Sequence, residues 1–230
     1  MQPRSLAMIL IILPLLAANG AYLLSAYQGI VPWCIPYIEG CTSISRSGRS
    51  GHALFLFRAA MMVYSVFLIY FWIYSKHWLN LFYEYTTKTA HIIFWLGLLG
   101  AISLIIYIDF LGTSGEVNRF MRRYGIMIYF TFTPLAQLLL LNQHYKILSK
   151  TPKISISAKA LQYQLIILLL MLLIGIISVL LGVTQNKTDA SENIVEWNYS
   201  LLLTLYFIGM IPLWKNYRCS LTYSEVKNRF

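Results

Sequence analysis

The stretch Leu161–Val183, LQYQLIILLLMLLIGIISVLLGV, contains no charged residue and no alternation of apolar with polar positions. It exceeds the ~20 residues that a helix needs to cross a ~30 Å hydrocarbon core. No water is present there to satisfy backbone amides, so an uninterrupted apolar run must close its own hydrogen bonds as a helix. A barrel strand would alternate, and this run does not.

Five more runs of this kind surround it: Leu6–Tyr27, Ala53–Ser75, Ile92–Asp109, Tyr124–Leu141 and Trp197–Trp214. With 58% hydrophobic and 11% charged residues, the 230-residue chain has no room in its loops for a soluble domain. The expected fold is all-α, one six-span membrane domain over residues 1–230. The net charge of +10 does not point to nucleic acid, because the spans leave no soluble surface to present it. Arg4, Lys76, Lys88, Lys146, Lys150, Lys153, Lys159, Lys215, Arg218, Lys227 and Arg229 fall on one side of a six-span arrangement. Arg46, Arg49, Arg119, Arg122, Arg123 and Lys187 fall on the other. The excess of basic residues places both termini in the cytoplasm and favours anionic inner-leaflet lipid. Which membrane holds the chain is not written in the sequence. The first run also has features of a cleavable signal peptide, with Arg4 before it and the small residues Ala17-Ala18-Asn19-Gly20-Ala21 in it. It continues through Tyr22, Leu23 and Leu24, longer than most signal cores.

Cys34 and Cys41 share the longest outer loop, Gln28–His52, where a local disulfide is sterically feasible and two unpaired thiols are the alternative. Cys219, on the basic side, is either a palmitoylation site or an idle thiol. Lys76–His91 mixes aromatic and charged residues and reads as a short amphipathic piece in the inner interface. Asn186 and Asn198 begin glycosylation sequons, the second very close to the membrane. Gly97, Gly100 and Ala101 give the third span a face for close packing. Pro14, Pro134 and Pro212 should kink their helices, with Thr131 or Thr133 satisfying the carbonyl freed at Pro134. Gln137, Gln162 and Gln164 are candidates for interhelical hydrogen bonds.

Ionisable groups at membrane depth carry the functional signal, since each costs about 2.5–3.5 kcal/mol on insertion scales and needs a partner or a purpose. Arg58 lies inside the second span. Asp109, Arg122, Arg123 and Glu196 open or close spans on the same outer side, and His52 and Glu39 sit in the first outer loop. Two readings stand side by side. In one, Arg58 pairs with Glu196 or Asp109 as a structural lock, and Arg122 and Arg123 snorkel to the interface. In the other, Arg58, Arg122 and Arg123 grip a lipid headgroup, with Glu196, Asp109 and His52 beside them. His91 and His144 lie at inner span ends and read as interfacial. The sequence has no HExxH, Cys-x-x-Cys, phosphate loop or GxSxG, so it names no catalytic residue, metal or cofactor.

The first outer loop, Pro32-Trp33-Cys34-Ile35-Pro36-Tyr37-Ile38-Glu39-Gly40 followed by Thr42, Ser43 and Ser45, resembles the corresponding loop of the Frag/DRAM/Sfk membrane family. Glu196-Trp197 before the last span resembles that family's acid–Trp pair. The core of the loop is Pro36, Tyr37, Ile38 and Glu39, with Glu39 where the family favours Ser. Span count and loop lengths agree over nearly the whole chain. The resemblance implies lipid handling or membrane regulation, and leaves the chemistry open. Three functions therefore remain: a lipid-binding or lipid-organising protein of the outer leaflet, a membrane-embedded lipid-remodelling enzyme using Glu196 or His52, or an accessory subunit docking other membrane proteins.

Overall fold

The computed structural model describes residues 2–82, 88–150, 157–184, 188–215 and 217. Six helical segments are long and apolar enough to cross a membrane, as the sequence requires. They are α1 (Pro3–Tyr27), α4 (Gly51–Asn80), α5 (Lys88–Phe110), α6 (Glu116–Lys150), α7 (Ala158–Val183) and a composite sixth span, Asp189–Leu213. That last span is α8 (Asp189–Leu205), a 3-10 turn over Tyr206–Gly209, and α9 (Met210–Leu213). Two single-turn helices, α2 (Pro36–Glu39) and α3 (Ile44–Ser47), shape the first outer loop. An even number of crossings returns the chain to the side on which it began. The end holding α2 and α3 is the outer end in the orientation set by the charge bias.

The helices outrun the apolar windows. Hydropathy marks only the part of a helix immersed in hydrocarbon, whereas backbone hydrogen bonding continues into the polar layer. Thus α4 continues to Asn80 and α6 begins at Glu116. This corrects the reading of Lys76–His91 as a separate interfacial piece. Lys76–Asn80 completes α4, Lys88–His91 opens α5, and residues 83–87 lie outside the described set. Lys76 Nζ rests 4.8 Å from the centre of the Phe94 ring, a cation–π contact between the two helices at their inner ends.

Small residues set the helix spacing, as expected for association inside lipid, where close packing replaces the hydrophobic effect. A Cβ on Gly97 would stand 2.1 Å from the Trp72 ring of α4, and one on Gly100 would stand 2.6 Å from Thr133 Oγ1 of α6. The return contact comes from Gly125, where a Cβ would meet the Ser103 carbonyl at 2.8 Å. Into the space so defined packs an aromatic cluster: Phe71 lies 4.8 Å from Trp72, 4.9 Å from Phe207 and 5.2 Å from Trp214, ring centre to ring centre. The buried hydroxyls of Tyr64 and Tyr129 meet at 3.2 Å, joining α4 to α6.

Proline breaks leave carbonyls that the bundle must satisfy. Pro134 cannot donate to Phe130, and the Phe130 carbonyl accepts instead from the Tyr199 hydroxyl at 3.2 Å. The expectation that Thr131 or Thr133 would do this is corrected: Thr131 Oγ1 donates to Met127 O at 2.8 Å, and Thr133 is buried against Gly100. Pro212 likewise cannot donate to Ile208, and the sixth span tightens into its 3-10 turn just before it. Side chains from neighbouring helices serve the carbonyls around that turn. Gln137 Nε2 donates to Leu203 O (3.3 Å), Tyr163 Oη to Leu205 O (3.1 Å) and Gln164 Nε2 to Tyr206 O (3.5 Å). Gln137 and Gln164 are therefore interhelical partners, while Gln162 is exposed. His144 is not interfacial, because α6 turns it inward. Its ring is fully buried with its centre 4.9 Å from that of Trp78. His91 is exposed.

A basic cavity at the outer end and the groove below it

The outer loop is pinned to α8 by its own backbone. Gly40 adopts a left-handed φ of 62°, and a Cβ there would lie 2.1 Å from the Ala190 carbonyl, so only glycine lets the chain approach so closely. Around this contact Asn193 Nδ2 donates to Gly40 O (2.8 Å), Asn198 Nδ2 to Tyr37 O (2.8 Å) and Trp197 Nε1 to Thr42 O (2.8 Å). The Tyr37 and Trp197 rings stack edge-on at 5.0 Å. Partial burial raises the Tyr37 phenol above its ordinary pKa, against the lowering effect of its hydrogen bond to Asn19. Cys34 and Cys41 form a disulfide within the loop, their Cα atoms 6.5 Å apart. The loop core Pro36–Glu39 and the Glu196-Trp197 pair, remote in sequence, thus belong to one docking surface.

Glu196 has a defined task in that surface. Its carboxylate accepts from the Ser45 amide at 3.3 Å, near the N-terminus of α3, where unpaired amides favour negative charge. Ser43 caps the same turn by accepting from Arg46 N at 3.0 Å. Glu39, in turn, accepts from the Ile35 amide at 2.7 Å. Both carboxylates shape the loop.

Arg58 does not pair with either proposed acid. Its Nε donates to the Ile108 carbonyl at 3.0 Å and its Nη2 to the Asp109 carbonyl. Arg122 approaches the same helix end from α6, donating through Nη1 to Phe110 O at 3.2 Å and to Thr113 O. A helix C-terminus presents its last carbonyls without intrahelical partners and carries partial negative charge, so two guanidinium groups are well matched to it. Arg58 instead holds backbone carbonyls at the end of α5. The Asp109 side chain is exposed. His52 is exposed as well, and its backbone amide donates to Gln28 Oε1 at 3.3 Å.

Between the loop, α5, α6 and the start of α8 lies a cavity of about 880 Å³. Ser43, Ser45, Arg49, Tyr107, Arg119, Arg122, Arg123, Glu192, Asn193 and Glu196 supply its polar wall, with Tyr199 at its lower edge. The structure therefore brings Arg122, Arg123 and Glu196 together and leaves Arg58, Asp109 and His52 outside. Arg119 and Arg49 were not foreseen as members. Arg119 joins because α6 starts at Glu116, which puts residues 119, 122 and 123 on one helical face at i, i+3 and i+4. That spacing was present in the sequence and needed only the earlier helix start. Arg49 comes from the loop, its Nη2 donating to Ser45 Oγ at 2.8 Å. Glu192 is set in the first turn of α8 by a capping box in which Thr188 and Ser191 satisfy each other's amides.

Four guanidinium groups face two carboxylates across this space, and Glu196 is already engaged with a backbone amide. Arg119 and Arg123 are exposed and make no hydrogen bond or ion pair with another described side chain. Such a wall can accept a planar or tetrahedral oxyanion through paired N–H donors. Among the described residues, no three of His, Cys, Asp and Glu converge to hold a metal ion.

A second hollow, about 650 Å³ and almost wholly apolar, runs between α6 and α7 beneath the cavity. Thr131, Pro134, Leu135 and Leu138 line one side, and Leu165 to Leu180 of α7 line the other. Tyr199 borders both spaces. Phe130 and Ser178 line the cavity, while their sequence neighbours Thr131 and Val179 line the groove.

Comparison with family models, curated proteins and solved structures finds no match to the chain.

Proposed function

We propose that this multi-pass membrane protein binds the phosphate-bearing headgroup of a lipid from the outer leaflet. The observation that carries the reading is the cavity itself, lined by the exposed Arg119 and Arg123, which make no ion pair or side-chain hydrogen bond among the described residues. Two guanidinium groups four positions apart on one helix face can share the oxygens of one phosphate. The resemblance of the outer loop and the Glu196-Trp197 pair to the Frag/DRAM/Sfk family is in keeping with a lipid ligand. So is the disulfide, which suits a loop on an oxidising side of the membrane.

Native mass spectrometry of gently extracted protein tests the proposal. Wild type should retain phosphatidylglycerol, and the Arg119→Gln/Arg123→Gln double variant should lose it. Glycerol 3-phosphate separates a lipid site from a site for soluble phosphate compounds. If the water-soluble compound binds as well as the lipid, the ligand is not a membrane lipid. Equal lipid retention by wild type and the double variant would remove the cavity from consideration.

A further inference from the structure

The groove between α6 and α7 adjoins the basic cavity, and Tyr199 lines both. Along α7 the lining runs from Leu165 to Leu180, about 22 Å at 1.5 Å per residue, which exceeds the ~15 Å depth of one leaflet. Gly175 stands in the middle of this lining, and a Cβ placed there meets nothing within 4 Å. This distinguishes Gly175 from Gly97, Gly100 and Gly125, where a Cβ would collide with a neighbouring helix. Those three glycines permit helix contact. Gly175 leaves a space that no other part of the described chain fills. Pro134 lies on the opposite wall, and the carbonyl it frees at Phe130 is taken by Tyr199 at the junction of the two hollows.

From this we infer that a hydrocarbon tail of the bound lipid is seated between α6 and α7, so that cavity and groove form one site for one amphiphile. The inference rests on the headgroup reading and adds the tail. Charge selects the occupant: the arginine-rich wall at the upper end suits a phosphate joined to an apolar tail, the two parts of one lipid. In lipid surroundings the tail gains little from leaving other tails. Its preference for the groove comes from filling an otherwise unoccupied volume with van der Waals contacts, with the head fixing its position.

A Cβ at Gly175 meets nothing within 4 Å, so Gly175→Phe should extend into the groove and fill it, and Gly175→Leu should fill it in part. Leu99→Phe, at an exposed position on α5, is the control for an added ring on the membrane-facing surface. Each purified protein is titrated with dioleoyl phosphatidylglycerol and with dihexanoyl phosphatidylglycerol, followed by native mass spectrometry, with the thermal midpoint confirming the fold. Gly175→Phe should hold the dioleoyl lipid about tenfold more weakly than wild type, equivalent to ~1.4 kcal/mol. Gly175→Leu should lie between, Leu99→Phe should match wild type, and none should change dihexanoyl binding. If Gly175→Phe binds the dioleoyl lipid as wild type does while the Arg119→Gln/Arg123→Gln variant loses it, the tail inference fails and the headgroup reading stands. If neither loses it, both fail. Loss in Gly175→Phe alone would indicate an apolar site independent of the arginines and would overturn the coupled site.

Discussion

Arg58 Nε donates to the Ile108 carbonyl at 3.0 Å, bringing a guanidinium from within α4 to the C-terminus of the next helix. The charge is thereby matched by backbone dipoles, and no carboxylate has to be buried beside it.

The first prediction follows directly. Arg58→Gln should lower stability by about 1–2 kcal/mol, toward the lower part of the range for hydrogen bonds to a charged group because the side chain is only partly buried. Lipid retention should stay at the wild-type level once the protein is folded. Thermal unfolding in detergent and native mass spectrometry measure the two effects separately, and loss of lipid at unchanged stability would return Arg58 to the binding site.

Trp197→Phe would keep the ring packing on Tyr22 and Tyr37 but remove the donor to Thr42 O. Thr42 is fully buried, so its carbonyl loses its tryptophan partner where water does not reach. The expected cost is about 1–3 kcal/mol. Hydrogen exchange should rise over residues 36–47, with the transmembrane helices unchanged. Uniform exchange across the molecule would mean that the loop is not held separately.

The three cysteines differ in availability. In unreduced, denatured protein a maleimide should add once, at Cys219, and after reduction three times, since Cys34 and Cys41 are joined. Three additions before reduction would show the loop thiols to be free. A closed loop this short should contribute about 2–3 kcal/mol in the chain-entropy account.

Two glycines should respond in opposite directions. Gly97→Ala forces a methyl group into the Trp72 ring and should destabilise by about 1–3 kcal/mol. Gly175→Ala meets nothing and improves helix propensity, so it should be neutral or stabilising by up to about 1 kcal/mol. Paired thermal unfolding curves compare them, and similar losses at both sites would contradict the open space at Gly175.

Asn198 illustrates what a motif cannot convey. Its sequon is intact, yet its side-chain amide is held by the Tyr37 and Ile194 carbonyls at 2.8 and 2.9 Å. The other sequon asparagine, Asn186, lies outside the described residues.

The sequence by itself determined the six helical crossings, because an apolar run without water can satisfy its amides only within itself. It determined the glycine face of α5 and the clustering of arginines toward one end of the spans for equally local reasons: residue size and transfer cost belong to each position. Tertiary structure decided which groups those residues meet. Arg58 finds the end of α5, Glu196 an amide of α3, and Tyr199 the carbonyl freed by Pro134. These partners come from neighbouring helices or from loops more than a hundred residues distant. Hydropathy and spacing describe one helix at a time, whereas the basic cavity and the groove beneath it are spaces between helices. They exist only once α6, α7 and α8 have been packed side by side.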